Sequence, residues 1–69
     1  MTNATDLATA AADADPATGL RAVAALRRLL EHLEATQVRS ARAHGWAWQR
    51  IATELGVSRQ AVHKKYRKD

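Results

Sequence analysis

Apolar residues in this chain recur at helical spacing, in three stretches parted by glycine. From Leu20 to about Ala43 no Pro or Gly interrupts the sequence. Within it Val23, Leu26, Leu30 and Leu33 fall at alternating steps of three and four, and Leu29 widens the stripe. Arg21, Arg28, Glu31, His32 and Arg39 lie on the other side. The pattern predicts an amphipathic helix with an apolar seam in a short coiled-coil register. Pro16 suits a first helical turn and Asp15 an N-cap, so the helix is expected to begin between Pro16 and Leu20. Past Leu33 the seam turns polar at Gln37, Ser40 and His44, while Val38 and Ala41 open an apolar strip to one side. The two halves of the helix are thus expected to meet different surfaces. Gly45 ends it, because glycine tolerates the left-handed conformation at a helix C-terminus.

Two shorter helices are predicted downstream. From about Ala47 to Leu55, Trp48, Ile51, Ala52 and Leu55 sit at i, i+3, i+4 and i+7 and are expected to be buried together. Trp46 and Trp48 are two apart and cannot share a face; Trp48 is assigned to the core and Trp46 to the rim. Gly56, Val57 and Ser58 form the turn, with Gly56 at positive φ, Val57 filling the angle between the helices and Ser58 capping the next helix. That helix, about Arg59 to Arg67, is expected to bury Ala61, Val62 and Tyr66. No strand signal occurs, so the fold class is all-α. Residues 1–15 are Ala, Thr and Asp with a single Leu7, and read as a mobile tail. The expected organisation is that tail, then one domain over 16–69, with 16–34 the dimerisation half of the long helix and 35–69 a three-helix unit.

Charge sharpens this picture. The net charge is +4 over 69 residues. Residues 1–34 carry three arginines against five acids, and residues 35–69 carry eight basic residues against two acids. A positive field gathered at the C-terminal end attracts a polyanion, most often nucleic acid. Charge alone is better read as a solvated face; the patch gains weight only because it coincides with the two short helices and the turn between them. There is no Cys, so neither disulfide nor thiolate metal site exists. No apolar run is long enough for a bilayer and no signal peptide is present, so the cytoplasm, at the nucleoid, is the expected compartment. His32, His44 and His63 lack ligand-like spacing with carboxylates, and no phosphate loop or nucleophile–base pair occurs. Neither an enzyme nor a cofactor is expected.

The run WQRIATELGVSRQAVHKKYR, Trp48 to Arg67, resembles the helix-turn-helix DNA-binding proteins. A small residue stands at the fifth place of the unit (Ala52), Gly at the ninth (Gly56), and apolar residues at the fourth, eighth, tenth and fifteenth (Ile51, Leu55, Val57, Val62). The stretch is also similar to the trihelical, homeodomain-like modules of actinobacterial regulators, in which VRSARAHG supplies the preceding helix. Two positions depart from the pattern. Ala47 replaces the usual Ser or Thr cap, and Lys65 falls where an apolar residue is common, with Tyr66 beside it. The resemblance implies a helix from Arg59 onward that enters the major groove of double-stranded DNA. Ser58, Arg59, Gln60, His63 and Lys64 are then the candidate base contacts, with Arg59 suited to guanine and Gln60 to adenine. Gln49, Arg50, Lys65, Arg67 and Lys68 are candidate phosphate contacts, which position the protein without specifying sequence.

Val23, Leu26, Leu29, Leu30 and Leu33 are the candidate homodimer interface, because five such side chains left in water would form a costly patch. The resulting expectation is a small dimeric bacterial transcriptional regulator. Two other readings remain open: a low-specificity DNA organiser of the nucleoid, and an adaptor that captures another protein on the leucine face.

Overall fold

A computed structural model describes residues 3–67, all of whose regular structure is helical. The elements are α1 (Ala4–Ala11), α2 (Pro16–Ala43), α3 (Trp48–Leu55) and α4 (Arg59–Tyr66). The chain divides into two compact units, Met1–Leu33 and Glu34–Asp69, and the division falls inside α2. No helix among the described residues is long and apolar enough to cross a membrane.

In the N-terminal unit, the segment expected as a tail instead forms α1. Asn3 caps it, its Oδ1 accepting the Asp6 N–H at 2.9 Å. This satisfies one of the orphan donors of the first turn, and Asp6 adds a favourable charge there. After α1 the backbone is held by short-range bonds. Asp13 Oδ1 accepts from the Asp15 N–H at 2.8 Å, and Asp15 Oδ2 accepts from both the N–H and the hydroxyl of Thr18. Asp15 thereby caps α2, which begins at Pro16, the earliest expected start. Gly19 does not delay it: the glycine is buried, with the carbonyl oxygens of Ala11 and Asp13 in ordinary contact with the place a Cβ would occupy. Ala22 is buried, and Leu7, Ala10, Val23, Leu26 and Leu29 are half-buried. Leu20, Leu30 and Leu33 are 69%, 64% and 49% exposed. An eight-residue helix is about 12 Å long, too short to follow α2 from Gly19 as far as Leu33. Of the five seam residues, then, Leu30 and Leu33 stand in water and the other three are partly covered.

The C-terminal unit closes on four small or medium side chains. Val38, Ile51, Ala52 and Val62 are buried, with Ala41, Trp46, Trp48 and Tyr66 packed around them. The same cap ends both α2 and α3. The Trp46 N–H bonds the Ala41 carbonyl and the Gly45 N–H that of Arg42; the Val57 N–H bonds the Ala52 carbonyl and the Gly56 N–H that of Thr53. Each is a Schellman motif with a left-handed glycine, φ 83° at Gly45 and 73° at Gly56. Ser58 Oγ accepts from the Ala61 N–H at 3.1 Å and starts α4, whereas Ala47 offers α3 no side-chain cap.

Three expected core positions are corrected. Leu55 is 40% exposed, Val57 is 47% exposed and Ala61 is exposed. Helical period assigns a face but not a depth. Leu55 is the last residue of α3 and stands between two shallow clefts, one shared with Val57 and Ala61, the other with Trp46 and Ile51. At Val57 the backbone N–H closes the α3 cap while the side chain stays in water.

Gly56→Ala is expected to destabilise the fold by about 1–2 kcal/mol, the cost of forcing an L-residue into the left-handed region. Beyond the neighbouring residues of the chain no atom lies within 4 Å of the added methyl, so the loss comes from the local backbone and not from packing. Urea unfolding of the variant checks this; a midpoint equal to that of the parent would contradict it.

Candidate nucleic-acid interface

The side chains that sequence singled out on α4 divide by exposure. Ser58, Arg59, Gln60 and Lys64 are exposed, and the Ser58 hydroxyl is occupied by its capping bond. His63 is half-buried: its ring and that of Trp48 form a T-shaped pair, centroids 5.3 Å apart and planes at 71°. Such a pair is a favourable contact that also orients the imidazole. Gln60, His63, Lys64 and Arg67 surround one open cleft of about 280 Å³, so these four residues share a patch on one side of α4.

The expected phosphate contacts are held in different ways. Gln49 is exposed, with its amide nitrogen 3.4 Å from the Thr53 hydroxyl, which itself donates to the Gln49 carbonyl. The Arg50 guanidinium lies 3.7 Å from the centre of the Trp46 ring, a cation–π contact. Lys65 is ion-paired to Glu34, with Nζ 2.9 Å from Oε2. Arg67 is exposed at the end of α4, and Lys68 lies outside the described residues. Trp46 and Trp48 both pack against the core, each with an arginine on its ring: Arg50 on Trp46, and Arg42 4.6 Å from the centre of Trp48.

Two interactions were beyond the reach of the sequence. The first is Glu34, whose Oε2 accepts from both Lys65 and the Tyr66 hydroxyl and so ties the last turn of α4 to α2. Glu34 and its two partners are more than thirty residues apart, and no local pattern announces such a contact. The second is Arg42, whose Nη1 donates to the Trp46 carbonyl at 2.7 Å across the α2–α3 corner. Among the described residues no group of three or more His, Asp or Glu is placed to hold a metal ion. Nor, among the described residues, is any side-chain polar atom buried without a partner.

The Tyr66 hydrogen bond, and after it that of Lys65, hold the Glu34 carboxyl below its usual 4.5. Burial, and then the bond to Glu34, push the Tyr66 hydroxyl above its usual 10.0. The lowered Glu34 value favours the folded state above pH 4.5, and that contribution is lost as pH falls through the lowered value. The raised Tyr66 value favours the folded state below pH 10.0 and fades as pH rises through the raised value. Glu34→Gln is therefore expected to lower stability near neutrality by about 0.2–1 kcal/mol, the range of a solvent-screened pair. The variant should also lose less stability than the parent between neutral pH and pH 3. Urea unfolding across that range is the measurement, and parallel curves would contradict it.

The chain matches no protein-family model, no curated protein and no solved structure.

Proposed function

We propose that the unit Glu34–Asp69 binds double-stranded DNA, with α4 in the major groove, and that the protein acts as a small dimeric transcriptional regulator. The observation that carries the reading is the outward side of α4. Arg59, Gln60 and Lys64 are exposed together on a helix with no acidic residue. An α-helix fits the major groove, and arginine and glutamine are the side chains that read guanine and adenine through paired hydrogen bonds. Lys64 and Arg67 serve the phosphates, and His63, steadied by Trp48, presents what remains free of its ring beside Gln60. Lys65 contributes less than its charge suggests, because Glu34 already engages it.

In this reading two copies pair through the first half of α2, around Leu30 and Leu33. The support is the apolar surface left open there: Leu30 and Leu33 are 64% and 49% exposed. Among the described residues the buried apolar set is also small, with Ala22 in one unit and four residues in the other.

Selection of binding sites from random duplex DNA, run at two salt concentrations, tests the reading. Recovery of one motif supports it. Uniform recovery with affinity set by salt alone favours a DNA organiser. Arg59→Ala is expected to weaken binding to the selected motif by about 1–3 kcal/mol and to random duplex by less. Equal losses on both would remove Arg59 from base reading. Leu30→Asp places a charge on a side chain that is already exposed, so the monomer fold should survive. Sedimentation is expected to shift from dimer to monomer, with at least tenfold weaker self-association; an unchanged sedimentation coefficient would dismiss the pairing.

A further inference from the structure

We infer that a cleft beside α4, bounded by Arg39 and Arg42 of α2 and by Arg67, is a second anion-binding place that takes a phosphate group. The cleft has a volume of about 400 Å³ and is lined by Val38, Arg39, Arg42, Trp48, Tyr66 and Arg67. That volume falls in the range of small-ligand sites. Three of its six lining residues are arginines and none is acidic. The two acids of this unit among the described residues are engaged or placed elsewhere. Glu34 accepts from Lys65 and Tyr66, and Glu54 borders a different cleft with Gln37 and Trp46. Among the described residues, then, no carboxylate belongs to the cleft's own lining.

The site is also partly organised before any ligand arrives. Arg42 is anchored by its bond to the Trp46 carbonyl and lies over the Trp48 ring. A guanidinium carries five N–H donors, of which this bond takes one. Among the described residues, Arg39 makes a long bond to the Thr36 hydroxyl on its own helix, at 3.4 Å. Val38 is buried at the base, and the Trp48 and Tyr66 rings are half-buried in the walls. An anion seated there gives up part of its water and feels the arginines more strongly. The guanidinium forks of Arg39 and Arg42 together suit an acceptor with three or more oxygens, which phosphate offers and a carboxylate does not.

Arg67 also lines the cleft of Gln60, His63 and Lys64, so the two clefts meet at one residue. A duplex on α4 then has a way to place a backbone phosphate against Arg39 and Arg42; that source rests on the proposed function. A free phosphoester is the other source and does not depend on it.

The full chain is titrated first with inorganic phosphate, following the Trp48 indole N–H by NMR, and then with random-sequence duplex DNA over a series of salt concentrations. The double variant R39Q/R42Q is compared with Arg28→Gln, which removes one charge from the other unit. Arg39→Gln alone is the second variant, since it loses only a long bond within its own helix. A saturable indole shift with phosphate that R39Q/R42Q abolishes assigns the cleft to free phosphate. No phosphate shift, with the slope of log affinity against log salt reduced by about 2 in the double variant and by about 1 in Arg39→Gln, assigns it to the DNA backbone. If the parent does not bind DNA, the proposed function fails and the phosphate titration alone decides the cleft. No indole shift, together with salt slopes equal to that of Arg28→Gln or with no DNA binding, overturns the inference.

Discussion

The C-terminal unit depends on how closely α3 approaches its neighbours, and Ala52 sets that distance. It retains no exposed surface at all. Its methyl leaves room for α4 to pack directly against α3, with Val38, Ile51 and Val62 completing the core. Close-packed interiors respond to a single added methylene, and this one has few other contacts to absorb the change. Because α3 and α4 are only two turns each, neither would hold its direction in isolation. Their mutual packing fixes the direction of α4, and with it where Arg59, Gln60 and Lys64 point.

Around that contact the ends of the helices are tied by local chemistry. Glycine corners close α2 and α3, and Ser58 opens α4. Glu34 then fastens the far end of α4 through Tyr66 and Lys65. The basic residues sit on this frame in two groups. One stands outward on α4. The other is turned toward the tryptophans, where Arg42 and Arg50 lie on the rings of Trp48 and Trp46. Stacked arginines keep their charge while giving up freedom, so a later partner has less disorder to remove.

What the sequence made legible follows from the range of each interaction. Gly45, Gly56 and Ser58 act on backbone groups a few residues away, and their roles were readable from residue type and position. The long run of α2 was readable from its period. α1 was not, because a single Leu7 gives no stripe and the cap that starts it, Asn3 accepting from the Asp6 N–H, was seen only in the structure. Leu55 and Ala61 were expected deeper than they lie, since period carries no information about how far a neighbour extends; Val57, expected to fill the angle between the helices, leaves its side chain in water. Of the candidate site, the exposed stretch of α4 followed from the capping serine and the apolar positions that must turn inward. The contact of His63 with Trp48 and the grip of Glu34 on Lys65 required the distant partner to be seen, whereas Arg42 and Arg50 lie six and four residues from the tryptophans they cover and needed the geometry of the α2–α3 corner.

Two small residues in this unit are small for opposite reasons. At Gly56 there is open space where a side chain would go, and the backbone angle is what excludes one. At Ala52 the backbone is ordinary helix and the missing volume is what matters. Substitution tolerance at the two sites should therefore sort along different axes: at position 56 by ease of adopting left-handed torsion, so that asparagine ranks above alanine, and at position 52 by bulk alone, so that serine and glycine rank above valine.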